Sequence, residues 1–130
     1  MLSPEVMGMT APQTDSHQGV NSVALRGRVS SAPLERTLPS GDAILTFRVS
    51  VARDPDQRSG ARRQATDWVD CVVWNGRIRR SAASWQVGDQ VELEGALRRR
   101  FFRTTTQTAT RVEVEVTRAR RVARAPAADE

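Results

Sequence analysis

The 130-residue chain has no lysine, one cysteine and one histidine. Without lysine there is no glycine-rich phosphate loop of the GxxxxGK type. A single cysteine excludes an intramolecular disulfide, and the apolar neighbours of Cys71 predict a core thiol rather than a reactive or metal-binding one. The one histidine, His17, falls in a polar N-terminal stretch, and with no Cys/His cluster there is no zinc site to assign. No apolar run approaches the roughly 20 residues of a membrane span, and the N-terminus lacks a basic segment followed by an apolar one. A cytosolic location without membrane association is therefore expected. Enzymatic arrangements are missing too. No nucleophile stands beside a base, and the pairs Glu92/Glu94 and Glu113/Glu115 read as solvated strand faces. A non-enzymatic protein with no cofactor and no metal is expected.

What the chain does have is arginine. All 20 basic residues are arginine and the formal charge is +5. The planar guanidinium fork suits phosphates and stacks on aromatic faces, so the balance favours an anionic polymer as partner. Placement of the arginines decides whether that reading holds.

Residues 1–19 show neither helical nor strand periodicity and are expected to form a disordered arm. All three methionines, Met1, Met7 and Met9, lie there, which leaves the true start open. From Asn21 a period of two begins. Val23, Leu25, Gly27 and Val29 alternate with Ala24, Arg26 and Arg28, which gives a first strand. LPSG at 38–41 signals a turn, after which Leu45, Phe47, Val49 and Val51 alternate with Thr46, Arg48 and Ser50. Residues 53–67 form a long polar loop that contains Arg62 and Arg63; loops of this length are usually functional or disordered. The third strand holds DWVDCVVWNG. RIRRSAASW then carries Ile78, Ala82 and Trp85 on the stripe of a short helix, with Trp85 in the core. The fourth strand has Val91, Leu93, Gly95, Leu97 and Phe101 inward, with Glu92, Glu94, Ala96, Arg98, Arg100 and Phe102 outward. Gly95 there predicts a bulge or barrel corner. A fifth strand spans 110–118, and the remainder, ARRVARAPAADE, reads as a tail.

This order predicts an all-β OB-fold, a five-stranded, partly open Greek-key barrel with one short helix between strands 3 and 4. The domain is expected over residues 20–122, with a short disordered tail at 123–130.

Side chains alternate along a strand, so Trp68, Asp70, Val72 and Trp74 share one face of the third strand while Val69, Cys71 and Val73 share the other. The second set suits a barrel interior. The two indoles then lie about 20 Å apart at roughly 3.3–3.4 Å per residue, too far to stack on each other. Aromatic side chains interleaved with arginine on outward faces are what a single-strand binder needs. Phosphates supply salt-dependent attraction, and bases without a partner strand stack on rings with little sequence preference. The stacking residues expected are Trp68, Trp74 and Phe102. Phosphate contacts are expected from Arg26, Arg28, Arg48, Arg62, Arg63, Arg77, Arg98, Arg100 and Arg103. On pattern alone, a structural adaptor whose Trp face is a protein interface and an RNA-binding OB domain remain open.

The segments NSVALRGRV, ERTLPSG, FRVSVAR, DWVDCVVWN and GDQVELEGALRRRFF stand in an order and spacing that resembles the bacterial single-stranded DNA-binding proteins, from about Asn21 to Val122. The resemblance implies an OB-fold, a homotetramer and sequence-tolerant binding of single-stranded DNA without catalysis; a role in replication, repair or recombination is expected, with a homodimer as the alternative assembly. It assigns Trp68, Trp74 and Phe102 to base-stacking positions, and places Arg77 and Phe101 where some relatives carry basic contact residues. Many relatives have another stacking tryptophan after the second strand, where this chain has ARDPD, with Pro55 nearby. Replicative relatives also end in a glycine- and proline-rich linker and an acidic tip that recruits enzymes. Here the sequence stops at APAADE, which predicts an accessory paralogue without that recruiting role.

Overall fold

The computed structural model describes residues 19–54, 65–103 and 105–126. Most of the expected N-terminal arm, His17, Pro55, Arg62, Arg63 and residues 127–130 lie outside the described residues. Five strands and one helix follow in order: β1 (Val23–Thr37), β2 (Ala43–Ala52), β3 (Thr66–Val73), α1 (Gly76–Ala82), β4 (Gln90–Arg103) and β5 (Thr108–Ala123). The strands close into a ring in the order β1-β2-β3-β5-β4, with β4 returning to pair with β1. This is the OB-fold expected from the element order, with the helix between the third and fourth strands. Every pairing is antiparallel except the β3–β5 seam, which is parallel and has only two register pairs, Cys71↔Val114 and Val72↔Glu115.

The alternation that marks the strands also fills the barrel. Val29, Leu45, Phe47, Val49, Cys71, Val73, Val91, Leu93, Val114 and Val116 are buried in one cluster with Ala82 and Trp85, and Val23, Leu25 and Val69 pack against it. Trp85 meets Phe47 edge to face, with centroids 5.4 Å apart at 76°, a favoured aromatic geometry. The sequence reading of Trp85 and Cys71 as core residues holds. Helix α1 is started by Asn75, whose side chain accepts the Ile78 N–H at 3.0 Å, and Arg79 and Arg80 complement the dipole in its last turn.

Three expectations need correction. β1 does not end near Val29 but runs to Thr37. Register shifts between Val29 and Ser31 and between Ser31 and Leu34 let it leave β4 and follow β2. Ser30, Ser31, Ala32 and Pro33 break the alternation there, so the bulged half was invisible to a period-two reading. At the other end of the chain, β5 continues past Arg118 to Ala123 and pairs with the start of β4. The third correction concerns the far half of β4. Beyond Gly95 it has lost β1 and pairs with β5 alone, so the two strands leave the barrel as a two-stranded arm. Leu97 and Phe101, expected inward, are therefore exposed, Phe101 by 66 %. Period assigns a side chain to a face, and only the neighbouring strands decide whether that face is covered.

Gly95 itself sits at a register shift of β4, as a strand glycine predicts. A Cβ there would lie 2.0 Å from the Glu115 carbonyl oxygen. The corner at which the arm departs is thus built on close backbone approach.

Candidate nucleic-acid interface

On the outer face of β2 and β3, Arg48 stands directly opposite Asp70 in the ladder. Its Nε donates to Asp70 Oδ1 at 3.0 Å, and its guanidinium carbon lies 5.4 Å from the centroid of the Trp68 ring. A cation over an indole face is attracted by the ring quadrupole. Trp68 is still mostly exposed, so a second ligand can reach it. The carboxylate between the two tryptophans has its arginine.

The arm carries a matching arrangement. Its outward row contains Arg98, Arg100 and Phe102 on β4 and Arg111, Glu113 and Glu115 on β5. Arg98 pairs with Glu115 at 2.8 Å and Arg100 with Glu113 at 3.6 Å. Arg111 lies over the Phe102 ring, 5.5 Å from its centroid. Glu113 is buried, which corrects the reading of the Glu113/Glu115 pair as a solvated face. Because β5 joins β3 through the short parallel seam, this row curls toward β2 and the bulged half of β1.

A groove of about 490 Å³ results, lined by Arg36, Arg48, Asp70, Arg100, Phe102, Arg111 and Glu113 together with Ser31, Ala32, Leu34, Thr46, Phe47 and Cys71. Four arginines line it with two aromatic rings, the exposed Phe102 and the buried Phe47, and the Trp68–Arg48 stack lies on one side. Burial and then the negative charges of Asp70 and Glu113 push the Cys71 thiol up to about 12, so it is protonated near neutral pH. Among the described residues no group of three or more His, Cys, Asp or Glu side chains could hold a metal ion.

Residues 20–122 match the family model described as the single-strand binding protein family. The chain belongs to that family. It is 31 % identical over 83 residues to single-stranded DNA-binding protein A of Bacillus subtilis (strain 168), an alignment that covers 64 % of this chain and 47 % of the relative. The chain thus matches about half the length of that relative. Among solved structures it is similar to the Plasmodium falciparum SSB complex with ssDNA, with a TM-score of 0.65 and 22 % identity over 84 % of this chain and 98 % of the other. At that identity the likeness concerns the fold.

Within this member of the single-strand binding protein family, the residues picked out from sequence are not all in one place. Arg48, Arg100 and Phe102 line the groove, and Trp68 joins it through Arg48. Arg98 follows on the same row of the arm, and Arg103 is exposed at its tip. Trp74 is half-exposed at the end of β3, where its carbonyl accepts from Arg79 Nε at 3.3 Å. Arg77 is exposed on α1. Arg26 and Arg28 lie in a different sector, where β1 meets β4. Arg26 pairs with Glu92, which Arg120 also holds at 2.9 Å, and Arg28 donates to the Gly88 carbonyl at 2.9 Å. These bonds hold the Glu92 carboxyl below its ordinary range, the Arg26 bond first and the Arg120 bond second, against the opposing effect of burial.

Two groove arginines escaped the sequence reading. Arg36 belongs to the half of β1 hidden behind the bulge. Arg111 faces Arg100 across the arm, so folding β4 and β5 into one hairpin on paper would have found it.

Proposed function

We propose that this chain binds single-stranded DNA without catalysis and with little sequence preference. Trp68 and Phe102 supply stacking surfaces on either side of the groove, and Arg36, Arg48, Arg100 and Arg111 meet the phosphates. One observation carries the reading: an arginine-lined groove flanked by two rings, each with an arginine over its face, in a chain of the single-strand binding protein family. Base–aromatic stacking is worth about 1–3 kcal/mol per base and tolerates any base, while phosphate contacts release counterions and make affinity fall with salt. Trp74 extends the path along β3, and Arg98 and Arg103 extend it along the arm. Arg62 and Arg63 belong to the same reading as loop contacts.

The working form in this proposal is a homo-oligomer, a tetramer or a dimer, acting in the cytosol in replication, repair or recombination. Leu97, Phe101 and Val112 support it. All three are exposed on the face of the arm opposite the groove row, and an apolar face of this kind favours association. The test is a tryptophan-fluorescence titration with oligo-dT of several lengths at two salt concentrations. Quenching that saturates, and weakens steeply as salt rises, supports the proposal. Unchanged emission at low salt from folded protein would sink it. RNA oligonucleotides in the same titration separate DNA from RNA preference.

A further inference from the structure

The groove holds two carboxylates as well as its arginines, and the two kinds of group lie at different depths. On the β3 wall the Asp70 side chain is 31 % exposed against 44 % for Arg48. On the arm wall Glu113 is 9 % exposed against 37 % for Arg100. Each carboxylate is thus less exposed than the guanidinium it pairs with, and Glu113 is buried. The two walls repeat one unit: an aromatic ring, an arginine over its face, and a carboxylate less exposed than its paired arginine. The floor is negative and the rim is positive. The Cys71 thiol reports the same arrangement from below, because the charges of both Asp70 and Glu113 reach it.

A nucleic-acid strand offers this groove two different aspects. A phosphate lying on the floor would meet two carboxylates in a partly dry site, where like charges repel more strongly than in water. A base edge carries no net charge, and its N–H groups, the amino groups of adenine, cytosine and guanine or the ring N3–H of thymine, can donate to a carboxylate. We propose that Asp70 and Glu113 set both the orientation and the selectivity of the groove: the acidic floor turns phosphates outward to the arginine rim and admits only unpaired bases, so polyanions that lack them are rejected. This rests on the reading of the groove as a single-strand site and adds the source of its discrimination. Stripping the floor of charge makes the groove a general polyanion binder.

The experiment compares the full chain with an Asp70→Asn/Glu113→Gln double variant, each titrated at two salt concentrations with three probes. These are oligo-dT, an abasic oligodeoxynucleotide of the same length, and a duplex of that length. The unaltered chain is expected to prefer oligo-dT strongly over both others. The double variant is expected to gain about tenfold on the abasic strand and the duplex, and less on oligo-dT, so that the preference narrows. A folded double variant whose ratio of oligo-dT to abasic affinity is unchanged overturns the inference while leaving the single-strand reading intact. Failure of the unaltered chain to bind oligo-dT at all overturns both. Asp70→Asn alone serves if the double variant does not fold, because Asp70 is partly exposed, and the same narrowing in smaller degree is then required.

Discussion

The Asp89 carboxylate accepts the backbone N–H of Ala125 at 2.7 Å, which joins the turn before β4 to the second residue past the end of β5. The same carboxylate accepts the Gln86 N–H at 2.9 Å and meets Arg121 at 3.4 Å, while the Asp89 carbonyl accepts from Val29. Asp89 is buried, and it closes the end of the barrel opposite the arm. Replacing it by alanine leaves two backbone donors and a guanidinium without their partner. Asp89→Ala is expected to lower stability by on the order of 3 kcal/mol, read as a drop in the urea midpoint with little change in slope.

The same residue sets an acid limit. The Gln86 N–H, then the Ala125 N–H and Arg121, hold its carboxyl below the ordinary range although burial works the other way. A carboxyl depressed in the folded state contributes stability that is present above the unfolded value of about 3.9 and is lost as pH falls through the folded value. Urea midpoints should therefore be level from neutral pH down to about pH 5 and fall below about pH 4. In Asp89→Asn the midpoint starts lower and the acid fall is shallower. An equally steep fall in that variant assigns the acid limit to other carboxylates.

Stacking and structural arginines separate by mutation. Trp68→Ala and Phe102→Ala are each expected to weaken oligo-dT binding by about 1–3 kcal/mol at fixed salt, with circular dichroism unchanged. Arg26→Ala removes an arginine held by Glu92 in another sector and should weaken binding less than either. The comparison is a set of titrations at one ionic strength.

The corner of the arm cannot take a side chain. A Cβ at Gly95 would lie 2.0 Å from the Glu115 carbonyl oxygen, whereas one at Gly19 meets nothing within 4 Å. Gly95→Ala is expected to cost about 1–3 kcal/mol through forced backbone movement, and Gly19→Ala to be neutral in thermal melts.

Cys71 offers a check on the barrel interior. Its thiol is buried and pushed up to about 12, so an aromatic disulfide reagent at pH 8 should react slowly with native protein and at the ordinary thiol rate in denaturant. Fast reaction in the native state would place the thiol at the surface.

Much of this architecture was legible because one face of each strand is buried and the residue period is two. Val69, Cys71 and Val73 point inward, and that obliges Trp68 to point out. The helix was legible from Ile78 and Ala82, but it ends at Ala82, so Trp85, expected on its stripe, reaches the core from the turn that follows. What escaped depends on contacts rather than on spacing. The second half of β1 carries no alternation and is held by pairing with β2. Glu113 looks like any outward strand residue, yet it is buried where its row lines the groove. Phe101 shows the reverse case. Of the site, Arg48, Arg100, Phe102 and Trp68 could be named from pattern, whereas Arg36, Arg111 and the depth of the two carboxylates required the folded ring.

The β3–β5 seam has a consequence for motion. Every other junction of the barrel is a long antiparallel ladder, while this one rests on Cys71↔Val114 and Val72↔Glu115. Local opening is cheapest where the fewest backbone bonds must break together. Hydrogen exchange at this junction should therefore outpace that at the β4–β5 ladder within the barrel. The arm is rooted beside that seam, so the groove is bounded on one side by the junction of the ring with the fewest backbone pairs.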